Sequence, residues 1–333
     1  MEHQEVLNHR GFHALRRGGV EIMEIPKELT VVEAVPFRNA FRAICEAEDR
    51  PFKVVLDFTR TTFLDSSGIG ALASSIKMSK ASDITLAVSG PNPQVRAVLA
   101  MTGLDKVLLF EQNDAVEIET GPIQTTTLPV THPSIRSPAK RMIDVIGASV
   151  GLFITALLFV PIAVAIKRDS PGPLFFSQTR CGWMGRPFKL WKFRSMVTDA
   201  EARKHEVKNE AEGAIFKAEN DPRITRVGRF LRRASLDELP QFWNVLQGSM
   251  SLVGTRPPTP DEIDQYDIPE WRRLDVKPGI TGEWQVHGRS SIRSFEDIIR
   301  LDLRYQRNWS LWYDLQLLFK TVKVVFSKDS GAM

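Results

Sequence analysis

The sequence predicts an α/β layer domain followed by a membrane-associated domain. Three observations carry that prediction. Strand-like and helix-like apolar patterns alternate through the first third of the chain. A charge-free run of 22 residues, Val145 to Ile166, follows and is long enough to cross a bilayer core. Between the two, the charge balance changes sign: residues 1 to 120 carry 13 basic and 17 acidic side chains, and the remainder carries 31 and 23. The break falls on the polar, proline-containing stretch from Gly121 to Ala139, which reads as a linker. The expected domains are therefore 1–120 and 140–333, joined by a linker over 121–139.

In the first third, Lys53 to Phe58 reads as a buried strand. Phe63-Leu64 leads into Asp65-Ser66-Ser67-Gly68-Ile69-Gly70, after which Ile69, Leu72, Ala73 and Ile76 recur at helical spacing. Asp65 or Ser66 caps that helix. Asn92-Pro93-Gln94 opens another helix, Gly103 ends it, and Val107 to Phe110 is a short strand. The first 20 residues contain His, Arg and Glu but no apolar core, so no signal peptide is expected and this region is expected in the cytosol. Cys45 and Cys181 are too few and too scattered for a disulfide framework or a metal cluster.

The element order and the Asp-Ser-Ser-Gly-Ile-Gly turn resemble the STAS domain over about residues 18 to 120. The resemblance implies a module that regulates or assembles, through a protein partner or a homo-oligomer, and takes no part in chemistry. It also marks Ser66 as a position that is phosphorylated in some relatives; as a plain helix cap, Ser66 needs no such role. A phosphate-cradling loop is a poor fit, because Gly68 and Gly70 lack the longer glycine spacing and the lysine.

In the second half, Ser235-Leu236-Asp237-Glu238-Leu239-Pro240 sets two adjacent carboxylates between apolar residues, behind Arg229, Arg232 and Arg233. Such a pair is costly in that setting unless a cation or a phosphate ester uses it. Around it stand Lys192-Phe193-Arg194-Ser195-Met196, Asp221-Pro222-Arg223-Ile224-Thr225, Trp243-Asn244-Val245-Leu246, Ser249 to Gly254, Lys277 to Gly282, Trp284-Gln285-Val286 and Gly288-Arg289. These motifs, in this order, resemble the bacterial sugar transferase family of monotopic polyprenyl-phosphate phosphoglycosyl transferases, over about residues 138 to 328.

The resemblance implies a mainly α membrane domain with a re-entrant helix at about 143–168. Composition alone leaves a re-entrant helix and a kinked span open. Lys140, Arg141, Lys167 and Arg168 flank the run on both sides, and the positive-inside rule then favours two cytoplasmic ends. Pro161 supplies the helix break. Val160 stands where the family has a serine, so no hydroxyl supports the bend. The stretch from Trp309 to Phe326 suits an interfacial helix or a core helix with snorkelling Lys320 and Lys323.

By resemblance, Asp237 is the nucleophile that takes a sugar-1-phosphate from a UDP-sugar, releases UMP, and passes it to polyprenyl phosphate. Glu238 joins Asp237 in holding Mg2+ or orients the site. Arg232, Lys192, Arg194, Arg256 and Arg289 are the phosphate ligands expected from charge and position. Arg256 sits in Gly254-Thr255-Arg256-Pro257, where the family has a proline in place of Thr255. Lys277 to Gly282 and Gln285 to Arg289 are expected to shape the nucleotide-facing loop. His287 is set aside as lacking an acid at useful spacing. The implied setting is the cytoplasmic face of a bacterial inner membrane, in exopolysaccharide or glycoconjugate synthesis, with no nucleic-acid partner. A catalytically inactive scaffold recruiting partners through the STAS region is the alternative. Nothing in the sequence selects the sugar.

Overall fold

The computed structural model describes residues 4–9, 11–111, 128–211, 213–216, 218, 221–287, 292 and 294–326. Of the expected linker, residues 121–127 lie outside the described residues, whereas Pro133–Arg136 and the residues from Pro138 onward are helical. The chain forms two compact units, and their boundary is not a single cut. The first comprises 1–131 together with Met184–Arg186 and Asp267–Asp275; the second comprises His132–Trp183, Pro187–Tyr266 and Val276 onward.

The first unit is an α/β layer fold. Its strands are β1 (Gln4–His9), β2 (Phe12–Arg17), β3 (Val20–Glu24), β4 (Glu28–Leu29), β5 (Lys53–Asp57), β6 (Phe63–Leu64), β7 (Thr85–Ser89) and β8 (Leu109–Glu111). Its helices are α1 (Val31–Glu46), α2 (Ser66–Ala81) and α3 (Pro93–Thr102). The main sheet has the order β1-β2-β3-β5-β7-β8. It is antiparallel through β1, β2 and β3 and parallel from β3 onward. Parallel neighbours need crossover connections, which α1, α2 and α3 provide. The antiparallel start was not read from the sequence.

The helix punctuation follows the expected chemistry. The Asp65 carboxylate accepts the Gly68 N–H at 2.9 Å and caps α2. The Asn92 side chain accepts the Val95 N–H at 2.9 Å, and Gly103 ends α3 in the left-handed region at φ 78°. Ile69, Leu72 and Ile76 are buried as their spacing predicts.

Asp267–Asp275 belongs to this unit, with Ile268–Asp275 wound as a 3-10 helix. Ile268, Trp271, Arg273 and Leu274 are buried. The Trp271 ring lies against Gly70 of α2 so closely that a β-carbon there would sit 2.6 Å from it. Glycine at 70 is thus a packing requirement.

The second unit is mainly helical. Its helices are α4 (Pro133–Arg136), α5 (Pro138–Asp169), α6 (Arg226–Arg233), α7 (Gln241–Gln247), α8 (Pro260–Ile263), α9 (Glu283–Val286), α10 (Phe295–Arg307) and α11 (Leu311–Phe326). A hairpin of β9 (Phe175–Cys181) and β10 (Pro187–Phe193) and a parallel pair of β11 (Ser251–Val253) and β12 (Gly279–Thr281) complete it.

The long helix α5 is the axis of this unit. It is long and apolar enough to cross a membrane by length and composition. It exceeds the expected 143–168 at both ends and runs through Pro161 with no non-helical residue. The proline removes one backbone donor without ending the helix, so the break expected at Pro161 is not seen: one turn loses a hydrogen bond and the helix continues.

One face of α5 is tied down along its length. Lys140 donates to Asp314 at 2.6 Å and to the Val253 carbonyl at 3.0 Å. Asp144 accepts from the Ser251 hydroxyl and the Leu252 N–H, each at 2.9 Å. Gly151 lets the Phe242 ring approach to where a β-carbon would be 2.4 Å away. Ile162 and Ile166 pack with Phe193 and Leu231, and Asp169 accepts the Val227 N–H at 2.9 Å. The opposite face exposes Met142, Ile146, Val150, Phe153, Leu157, Val160 and Val164, which form one apolar stripe at helical spacing.

Lys140 and Arg141 do not serve as the free flanking charges of the topology argument. Lys140 is a buried ion-pair partner, and Arg141 donates to the Val245 and Leu246 carbonyls at the end of α7. The C-terminal stretch forms α11, which packs one face into the core and leaves another exposed. Leu317 of α11 is fully buried, whereas Trp312, Phe319 and Val322 are exposed.

Candidate active site

The site is built on β10, α6 and the turn after α6, all within the second unit. The Thr225 hydroxyl accepts the Gly228 N–H at 2.9 Å and starts α6. Gly228 passes the chain leaving β10 so closely that a β-carbon would lie 1.9 Å from the Ser195 carbonyl oxygen. This contact brings Arg232, one turn on, to the strand end, where its Nε donates to the Ser195 hydroxyl at 3.0 Å. Beyond α6, Ser235 takes a left-handed conformation at φ 55°, a costly state for a non-glycine residue. It turns the backbone into the 3-10 turn Leu236–Glu238.

That turn carries the acidic pair. Asp237 is only 3% exposed. Lys192, projecting from β10, sets its Nζ 3.0 Å from Glu238 Oε1 and 4.0 Å from Asp237 Oδ2. The two acids and Lys192, separated by more than forty residues in sequence, therefore form one cluster, as the motifs implied. Asn244 holds the strand that supplies Lys192. Its Oδ1 accepts the Trp191 N–H at 3.2 Å and its Nδ2 donates to the Lys189 carbonyl at 2.7 Å. Asn244 stood in a quoted motif, but its strand-anchoring role had no signature in one sequence.

A cavity of about 690 Å³ opens beside this cluster, lined among others by Lys192, Arg194, Arg232 and Arg256. Asp237 and Glu238 lie behind Lys192 and are not part of its wall. Burial pulls the Arg232 guanidinium below its usual value, and the nearby carboxylates of Asp237, Asp221 and Glu238 work against that fall. Arg194 is nearly buried and donates to the Ser170 and Pro171 carbonyls at the end of α5. Arg256 grips Glu262 with both terminal nitrogens, at 2.7 and 2.9 Å, and lies over the Trp284 ring. Arg289 lies outside the described residues.

Three features escaped sequence reasoning. Arg180 lines the cavity and donates to the Pro257 carbonyl and Gln178 Oε1; burial, then the neighbouring Arg256, push it down to about 10. The Asp221 carboxylate is gripped by Arg223; burial alone would raise it, but those hydrogen bonds outweigh burial and hold it below its ordinary value. His287 does have an acid: its Nδ1 is 2.7 Å from Glu283 Oε2, one helical turn back, a spacing set aside too readily. Glu283 is also bound by Arg304, and His287 does not line the cavity. Likewise none of residues 277–287 lines this cavity, and Gly279–Thr281 in that stretch form β12, paired with β11.

The donor set suits Mg2+. Among the described residues no group of three or more His, Cys, Asp or Glu could hold a metal. Mg2+ requires fewer protein ligands than that, taking one or two carboxylates and completing its shell with water and substrate phosphate. The Lys192 ammonium already sits against both carboxylates, so the pair favours positive charge.

Residues 135–328 match the bacterial sugar transferase family. The chain belongs to that family. Residues 12–116 match the STAS domain, so the chain joins a STAS domain to a bacterial sugar transferase domain. Met184–Arg186 and Asp267–Asp275 fall within the sugar transferase match but fold as part of the STAS unit. The transferase part is 50% identical over 189 residues to the galactosyl transferase CpsE of Streptococcus agalactiae, covering 56% of this chain and 42% of that protein. It is 44% identical over 191 residues to the UDP-glucose:undecaprenyl-phosphate glucose-1-phosphate transferase of Escherichia coli, covering 55% and 39%. It is 40% identical over 193 residues to the exopolysaccharide production protein ExoY of Rhizobium meliloti, covering 56% and 85%. The chain thus spans about two fifths of the first two relatives and most of the third.

Proposed function

We propose that the protein transfers a sugar-1-phosphate from a UDP-sugar to a polyprenyl phosphate such as undecaprenyl phosphate. The observation that carries this reading is the buried Asp237-Glu238 pair held by Lys192 at the wall of an arginine-lined cavity. The names of the relatives support the substrate classes and differ in the sugar, galactosyl in one and glucose in another.

In this reading an Asp237 oxygen attacks the sugar-bearing phosphorus. The bond from that phosphorus to the UMP oxygen breaks, and its electron pair leaves with UMP. An oxygen of the lipid phosphate then attacks the aspartyl phosphate, breaks the bond to Asp237, and restores the carboxylate. Lys192 exchanges its carboxylate contacts for the incoming phosphate, which uncovers Asp237. Arg232, fixed by Ser195, neutralises phosphate oxygens. Asp237 and Glu238 would hold Mg2+, which when bound offsets charge on the diphosphate and on departing UMP. The apolar stripe of α5 seats the unit in lipid with both helix ends on the cytoplasmic side.

The test is UMP release by the solubilised protein with polyprenyl phosphate and a panel of UDP-sugars. Asp237→Asn should lower release to below about 1% of wild type, since removing a nucleophile costs several orders of magnitude. Glu238→Gln should be severe but leave a residue of activity. Retention of most activity by Asp237→Asn removes it from the nucleophile's role; a wild type that releases no UMP points to the scaffold.

A further inference from the structure

Ser66 has no exposed surface. Its hydroxyl lies 2.7 Å from the Trp271 carbonyl oxygen and 2.6 Å from Asp275 Oδ1, and its N–H donates to the same Asp275 oxygen at 3.2 Å. One hydroxyl proton cannot satisfy two acceptors. A protonated Asp275 resolves the count by donating to Ser66 Oγ, which then donates to Trp271. Burial, then the neighbouring Asp65, push the Asp275 carboxyl up to about 7, which is compatible with that arrangement.

Further contacts tie the rest of the segment to the STAS unit. The Trp271 ring fills the space left by the missing side chain of Gly70. Arg38 of α1 pairs with Asp267 at 3.1 Å, and the Thr131 hydroxyl donates to the Asp275 carbonyl at 2.6 Å. Polar contacts thus bind both ends of the segment and an aromatic anchor binds its middle, the usual anatomy of a recognised peptide. In the chain, the segment begins directly after Thr259, Asp261, Glu262 and Gln265, which line the catalytic cavity.

We infer that the Ser66 face of the STAS unit is a binding site for this chain's own residues 267–275, and that seating the segment sets the 259–265 wall of the cavity through the one-residue tether at Tyr266. The STAS domain then acts in cis, on donor binding. The first half of this inference is independent of the proposed activity; the second rests on it. Any added charge at Ser66 falls in a fully buried site beside Asp65 and expels the segment, because a buried charge without a cation partner is strongly disfavoured and Asp65 repels it.

Hydrogen exchange of the full-length protein in detergent, read by mass spectrometry, tests the site, and UDP-sugar kinetics test the coupling. Ser66→Asp should accelerate exchange over 268–275 by at least about tenfold while β5 and β7 stay protected. It should raise KM for UDP-sugar with kcat changed by less than about twofold, the pattern of weakened ground-state binding. Adding Asp275→Asn to Ser66→Asp sets an amide N–H donor against the new carboxylate and should restore part of the protection. Gly70→Ala, which wedges Trp271 without touching Ser66, should release the segment as well and carries the test if Ser66→Asp does not fold. Wild-type protection in both Ser66→Asp and Gly70→Ala overturns the binding site. Release of the segment with an unchanged KM overturns the coupling. A wild type without UMP release overturns the transferase reading instead, and the exchange data still decide the site.

Discussion

Asp275 sits 8% exposed with Asp65 in its electrostatic range and Arg272 as the nearby positive charge; Arg38 at the other end of the segment faces Asp267. Its carboxyl is raised from 3.8 to about 7, first by burial and then by Asp65. A raised folded-state value means that the folded unit binds the proton more tightly than the unfolded chain. The stabilisation is complete below the unfolded value of 3.8 and is lost as pH rises through about 7. A rise of this size is worth about 4 kcal/mol between protonation states. The melting temperature of the STAS unit, followed within the full chain, should fall between about pH 4 and pH 7 and level off above, and Asp275→Asn should flatten that slope. An equally steep slope in the variant assigns the effect elsewhere. Asp237 and Glu238 were legible because they are adjacent in the chain and flanked by a run of family motifs. Ser66 and Asp275 were not, because 209 residues separate them and neither stands in a pattern that names the other. Arg194 and Arg256 read as phosphate ligands from charge and position in the chain. The structure spends Arg194 on backbone carbonyls and Arg256 on Glu262, partners that only the fold brings near.

At the scale of elements, α5 shows what hydropathy does and does not reveal. Its length and apolar character were plain in the sequence. Which face meets protein was not, because the helix is apolar nearly all round and Gly151 and Asp144 become meaningful only against Phe242 and Ser251. Lys140 at one end and Asp169 at the other bind the same unit. That double attachment is the argument for two ends on one side of a membrane, and it replaces the flanking-charge argument that Lys140 and Arg141 no longer support. Single cysteines at Ser137 and Ser177 should therefore react from the same side in sealed vesicles. Labelling from opposite faces establishes a true crossing and contradicts the seating proposed for the stripe from Met142 to Val164.

For the whole molecule, the charge break near residue 121 suggested two separable domains, so a protein beginning near Ser134 was expected to keep its half-reaction. The structure corrects the premise, because Asp267–Asp275 completes the STAS unit. Shortening the chain to start at Ser134 strips cover from Ile268, Trp271 and Leu274, each worth roughly 1.5–3 kcal/mol when buried. The shortened protein should insert in membranes and be cut by trypsin at Arg273, which is fully buried in the full chain. Equal resistance in both proteins shows that the segment does not need its STAS partner. No composition shift betrays this exchange of residues, since the segment's apolar spacing reads as an ordinary part of the transferase.

Because the cleft beside Gly70 is closed by residues that lie more than 130 positions downstream of the STAS strands, it cannot close during synthesis of the N-terminal part. At usual ribosomal rates of about 5–20 residues per second, the nascent STAS fold waits on the order of ten seconds for its last piece. Throughout that interval the cleft faces the same segment of any chain emerging alongside it, which is the condition under which domain-swapped pairs arise. The order of translation thus enters the choice between a self-closed chain and an exchanged pair.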